Sequence, residues 1–242
     1  MNGRSALVIG GSRGIGRAVT LALAEGGARV LAVGRSPNPL RELQAIARAH
    51  RLEIDVARGD AASPTRIRAF LKRASGHERA PDILVVAAGD YWEGPTRQLT
   101  VERWEELARS NVSVPLLAMQ EALPGMRRRR YGRILLFGVS GGDAPRPAPR
   151  AHAYRAAKLA LLTLAKSFAQ EEAPHGITVN TILPGVIRSG KPTPRESALL
   201  ERIPAGRLGS TREVARAALF LLAEESGYIT GAALPVSGGF LI

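Results

Sequence analysis

Short runs of β-branched and aliphatic residues alternate along this chain with longer stretches of helical period, and few architectures accommodate that alternation. A strand, a helix and a second strand close most readily as a parallel βαβ unit. The pattern predicts strands at residues 6–9, 29–33, 53–56, 83–87, 133–137, 178–183 and 232–236. Several are apolar throughout, as strands covered on both faces should be. Helices are predicted at 14–25, 40–51, 64–76, 101–129, 151–173 and 211–224, with Pro115 kinking the fourth. Two stretches rich in Gly, Pro or Arg, 138–150 and 188–196, read as working loops. With 242 residues, 45% of them hydrophobic, one core suffices. The expectation is a single α/β domain over 1–242, a doubly wound parallel sheet of about seven strands flanked by helices.

Composition removes several chemistries. There is no cysteine, hence no disulfide, thiol nucleophile or thiolate metal site. The four histidines, His50, His77, His152 and His175, lack metal-ligand spacing, so no bound metal is expected. The chain starts without a signal-peptide core and holds no apolar run near the roughly 20 residues of a membrane helix, which predicts a cytoplasmic protein without membrane contact. The formal charge of +13 raises nucleic acid as a partner. However, 30 of the 34 basic residues are arginine, scattered from Arg4 to Arg216 without a recognition motif. No nucleic-acid partner is expected.

Chemistry concentrates in two places. After the first strand, Gly10-Gly11-Ser12-Arg13-Gly14-Ile15-Gly16 opens the first helix. Such glycines let backbone N–H groups approach a pyrophosphate at a helix N-terminus. After the second strand, where an NAD site carries a carboxylate for the ribose, the chain has Gly34-Arg35-Ser36. Arg35 can pair with a 2′-phosphate, and Arg13 can close on it, so NADP is expected as cofactor with NAD as the alternative. The bland reading is two solvated arginines. Farther on, Tyr154 and Lys158 stand four residues apart on one helical face. A nearby cation, reinforced by an oxidised nicotinamide, should pull the phenol pKa down from about 10. Asn111, just before Pro115, can hold a water on a distorted helix, and Ser140, after the fifth strand, can bind a substrate oxygen. Each alone reads as an ordinary buried or capping residue.

Taken together, in this order, the glycine spacing and the Asn111, Ser140, Tyr154 and Lys158 set resemble the short-chain dehydrogenase/reductase family over essentially the whole chain. The resemblance implies a Rossmann-like fold and reversible NADPH-dependent carbonyl reduction. Tyr154 would donate the proton, Lys158 bind the nicotinamide ribose, Asn111 hold a relay water and Ser140 orient the carbonyl. It also implies adenine contact at Asp60 and Ala61, backbone approach at Ala88 and Gly89, and a nicotinamide-side turn at Pro184, Gly185, Ile187 and Ser189. Stretches 204–209, 228–231 and 236–239 most resemble 3-oxoacyl-acyl-carrier-protein reductases. Acyl thioesters are thus one expected substrate class, with a small ketone, sugar or steroid-like substrate left open, and acyl carrier protein is a candidate partner for the arginine run 127–130, although His175 and the loop 143–150 depart from that pattern. Tyr91 and Trp92 are candidates for the pocket wall. The family resemblance further implies a homotetramer, for which the apolar end Phe240-Leu241-Ile242 is suited.

Three departures stand out. The threonine usual before the first glycine is Ile9, and the usual Asn-Asn-Ala-Gly is Val86-Ala87-Ala88-Gly89. Replacing both partners of a buried hydrogen bond by apolar groups is nearly neutral, so these changes read as compensation. The serine is harder to align: counting from Gly132 reaches Val139, counting back from Tyr154 reaches Gly141, and Ser140 lies between. A catalytically silent nucleotide-binding scaffold and a basic nucleic-acid-binding protein are the rival readings.

Overall fold

The computed structural model describes residues 1–75, 80–148, 150–188, 190 and 198–242. Its main sheet has seven parallel strands: β1 (Ser5–Ile9), β2 (Arg29–Gly34), β3 (Ile54–Arg58), β4 (Ile83–Val86), β5 (Gly132–Phe137), β6 (Ile177–Pro184) and, last in the chain, β9 (Ala233–Val236). They lie in the order β3-β2-β1-β4-β5-β6-β9. The order reverses between β1 and β4, the switch point at whose carboxyl end a parallel sheet leaves its crevice. Two-residue strands β7 (Ile187–Arg188) and β8 (Gly209–Ser210) pair separately beyond that end.

Period-two alternation divides the core. Leu7, Ile9, Leu84, Val86, Ile134 and Leu136 point to one face, where α3 (Pro64–Ser75), α5 (Val114–Arg129) and α6 (His152–Glu172) cover them. Ala6, Val8, Ile83, Val85 and Leu135 point to the other, under α1 (Gly14–Glu25) and α7 (Thr211–Leu222). The second helix, α2, spans Pro37–Ala49. A capping box starts α7: Ser210 Oγ accepts from Glu213 N at 3.2 Å, and Glu213 returns the bond to Ser210 N at 2.8 Å.

The helix expected over 101–129 is continuous, and its distortion is a π insertion just ahead of Pro115. Between α4 (Val101–Ala108) and α5 lies a wide π turn, Arg109–Ser113. Pro115 follows helical backbone and lacks the N–H that would bond the preceding turn, and the π insertion directly before it widens that turn. The distortion therefore falls on Asn111 itself. Of the two loops, 138–148 and Arg150 are described and contain the turn after β5, whereas most of 188–196, Ser189 included, lies outside the described residues.

Candidate active site

Tyr154 and Lys158 share one face of α6, with the Lys158 ammonium 5.7 Å from the centre of the Tyr154 ring. Lys158 Nζ donates to Phe137 O at 2.8 Å, which fixes it at the carboxyl end of β5. The Tyr91 ring packs edge-on against Tyr154, centroids 5.0 Å apart. Burial pushes the Tyr154 phenol up to about 12, with Tyr91 adding to the effect. Burial also pushes Lys158 down to about 8. The expected depression of the phenol is thus not produced by the protein's own groups, because a desolvated ammonium at this distance does not offset the burial of the phenol. Tyr154 is therefore protonated at neutral pH.

The π turn presents Asn111 fully buried. Its Nδ2 donates to Asp90 O at 2.9 Å, Leu107 O at 3.0 Å and Ser110 Oγ at 3.2 Å. That fixes the orientation of the amide and leaves Oδ1 buried without a partner. The free oxygen faces Gly89: a Cβ there would collide with it and would lie 3.4 Å from Lys158 Nζ. Gly89 is required because an acceptor and an ammonium converge on its backbone. An acceptor left open beside an ammonium is suited to a relayed proton.

Ser140 lines the same cleft as Tyr154 and Lys158, a cavity of about 810 Å³, but its hydroxyl donates to Phe240 O. It is 1% exposed, and its N–H is held by Pro184 O at 3.0 Å. Val139 lines the cleft as well. Pro184, Gly185 and Ile187 also line the cleft, Gly185 N donating to Val236 O at 3.0 Å.

The glycine turn is a narrow cradle. Gly10 has φ +83° and both Gly10 N and Gly11 N donate to Val33 O, at 2.9 and 3.1 Å. A Cβ on Gly10 would lie 2.6 Å from Ala88 N. Beyond it runs a groove of about 280 Å³ whose lining includes Gly10, Ser12, Arg13, Arg35, Ser36, Asp60, Ala61, Ala88 and Gly89. Gly14, Ile15 and Gly16 line the catalytic cleft, which shares Arg13, Ala87 and Gly89 with the groove. Sequence spacing thus brought together residues that do line one continuous crevice. Asp60 caps locally, accepting from Ala62 N at 3.1 Å. Two neighbours went unread in the sequence. Asp90 pairs with Arg35, Oδ1 to Nη2, at 2.6 Å, and Arg58 Nε donates to Arg35 O at 3.3 Å. The first joins the ends of β2 and β4 over the end of β1 between them.

The departures resolve physically. Ile9 and Val86 are register partners on adjacent strands and belong to one core cluster. The paired loss of polar groups is therefore a packed apolar contact. The arginine run is mostly engaged within the chain. Arg127 forms a two-pronged ion pair with the fully buried Glu172, Arg129 donates to Ala80 O and Pro81 O, and Arg130 to Pro174 O.

A family model described as enoyl-(acyl carrier protein) reductase matches residues 9–241. The chain belongs to the short-chain dehydrogenase/reductase family of oxidoreductases. It is 33% identical over 249 residues to the 3-oxoacyl-(acyl-carrier-protein) reductase FabG of Escherichia coli K12, covering 98% of this chain and 97% of that protein. The corresponding reductase of Vibrio cholerae is 35% identical, with 99% and 98% covered. Among solved structures, a putative gluconate dehydrogenase from Agrobacterium tumefaciens superposes with TM-score 0.91 at 31% identity, covering 99% of this chain and 96% of that one. A variant actinorhodin polyketide ketoreductase crystallised with NADPH superposes at 0.88 and 28% identity, with 98% and 96% covered. Among the described residues no helix is long and apolar enough to cross a membrane.

Proposed function

We propose that this protein is an NADPH-dependent ketone reductase acting on small ketones and 3-oxoacyl thioesters. The observation that carries the reading is the convergence of the Tyr154 phenol, the Lys158 ammonium and the unpartnered Asn111 Oδ1 beside a groove whose glycines leave no room for a Cβ. The cradle suits a pyrophosphate, with backbone N–H groups at the start of α1 facing it. Arg35, Arg13 and Ser36 would hold a 2′-phosphate, Asp60 and Ala61 the adenine end, and Lys158 the nicotinamide ribose. Bound there, NADPH supplies a hydride.

The remaining work falls to the chain. Tyr154 holds its proton at neutral pH and gives it to the carbonyl oxygen as negative charge develops there. Lys158, with a pKa near 8, restores that proton, and Asn111 Oδ1 orients the water through which it passes. Ser140 orients the carbonyl once its hydroxyl turns from Phe240 O. The thioester class is drawn from the relatives' names, and acyl carrier protein as the carrier is drawn from the same source. A homotetramer in the cytoplasm completes the proposal.

A panel of acetoacetyl thioesters, simple ketones and quinones, with NADPH and NADH consumption followed by absorbance, tests it. Turnover of a ketone or thioester with NADPH preferred is the expected result. Clean NADPH binding without turnover across the panel favours the scaffold.

A further inference from the structure

The wall of the catalytic cleft carries a charge that carbonyl reduction does not use. Arg155 follows Tyr154 on α6, and one residue turns a helical side chain by about 100°. It therefore leaves the Tyr154–Lys158 face and passes beneath the turn after β5. There it is 9% exposed. Its Nη1 donates to Ser140 O at 2.9 Å, and a Cβ on Gly141 would lie 2.9 Å from Nη2. Nε is buried without a partner. Among the described residues no carboxylate forms an ion pair with Arg155. Burial weighs most against the charge, and Arg146 opposes it more strongly than Asp143 supports it.

A carbonyl dipole does not neutralise a guanidinium, and a buried unpaired charge costs far more than one hydrogen bond returns. A glutamine could bind Ser140 O without that cost. The positive charge itself therefore needs a counterpart.

The rest of the cleft points the same way. Arg146 reaches Leu241 O at 3.4 Å, and the Arg202 guanidinium lies 5.7 Å from the Phe240 ring centre. Both line the cleft with Arg155, and among the described residues no Asp or Glu lines it. Some surface arginines elsewhere are met by acids, as in the Arg68–Glu121 and Arg73–Asp55 pairs.

We propose that the cleft selects a carbonyl substrate that also bears a carboxylate, which Arg155 binds from the wall while Arg146 and Arg202 approach it from the rim. A carboxylate matches the fork of N–H donors that a guanidinium presents. This rests on the reductase reading and narrows its substrate class.

Acetoacetate and methyl acetoacetate present the same ketone with and without the charge. In the wild type kcat/KM should favour the acid by about tenfold or more. Arg155→Gln keeps a donor for Ser140 O and should bring the ratio close to one, Arg155→Lys should retain part of it, and Arg146→Gln should lower it partway. A wild-type ratio near one means that the Arg155 charge is met within the protein and overturns the proposal. A ratio unmoved in Arg155→Gln, or lost equally in Arg155→Lys, also overturns it. Acetoacetyl-coenzyme A and the neutral N-acetylcysteamine thioester form a second pair. Preference for the coenzyme A form that depends on Arg155, without preference for acetoacetate, assigns the charge to a phosphate and overturns the carboxylate.

If neither ketone is reduced, the reductase reading fails by itself, and calorimetric binding of acetoacetate still tests the anion site. Binding by the wild type that Arg155→Gln loses upholds the site; equal binding, or none, overturns it.

Discussion

The two ends of the crevice solve opposite problems. At the adenosine end the chain satisfies itself: Arg35 is paired with Asp90, Asp60 caps its own turn, and the glycines fit backbone against backbone. At the catalytic end it leaves groups unsatisfied. Asn111 Oδ1 and Arg155 Nε are buried without partners, and Lys158 is an ammonium whose bond runs to a carbonyl rather than to a carboxylate. Buried polar groups are expensive unless paired, so Asn111 Oδ1, open beside Gly89 and Lys158, is suited to a ligand or a relayed proton. The adenosine end needs shape; the catalytic end needs charge and hydrogen bonds left open.

The contrast can be broken from either end. The largest effect is expected from Gly10→Ala, which strains a φ of +83° and drives a Cβ to 2.6 Å from the backbone N of Ala88. A cost of about 3 kcal/mol or more follows, a drop in melting temperature of roughly 6–12 °C, together with loss of nucleotide binding by calorimetry. Retained affinity would mean that the cradle is not the phosphate site.

At the catalytic end, Lys158→Met should do the reverse, lowering kcat by about 100-fold or more while making the protein more stable. The sign follows from the folded pKa near 8 against about 10.4 unfolded. Between those values the unfolded chain holds a proton that the folded one has released, so wild-type stability rises with pH across that window. The variant's advantage at pH 7 should therefore shrink as pH rises between about 8 and 10.4 in denaturant titrations. An advantage independent of pH would place its origin elsewhere.

The smallest effects concern Arg35. Arg35→Ser should raise the Kd for NADPH about tenfold and leave NADH nearly unchanged. Asp90→Asn, which releases Arg35 from its ion pair, should tighten NADPH by a few-fold. Equal changes for both nucleotides would show that Arg35 does not read the 2′-phosphate.

The sheet was legible because its strands are buried on both faces and read as apolar runs, and α1 was legible to the residue, 14–25, from the glycine turn that starts it. The distortion in 101–129 was legible from Pro115, and its form, a π turn over 109–113 that carries Asn111, was not. What the sequence concealed depends on contacts between distant segments. Asp90 takes Arg35 across two neighbouring strand junctions, Ile9 meets Val86 only through strand register, and Ser140 turns its hydroxyl to the far end of the chain. Arg155 lies between Tyr154 and Lys158 in sequence, and only the folded cleft shows that no carboxylate among the described residues forms an ion pair with it.

The most direct test of the catalytic end is to measure NADPH affinity and ketone reduction on the same preparations of wild type and Tyr154→Phe. Removing the phenolic hydroxyl should lower kcat by about 1,000-fold while changing the Kd for NADPH by less than about threefold. Turnover within tenfold of wild type would contradict the assignment of Tyr154 as the proton donor.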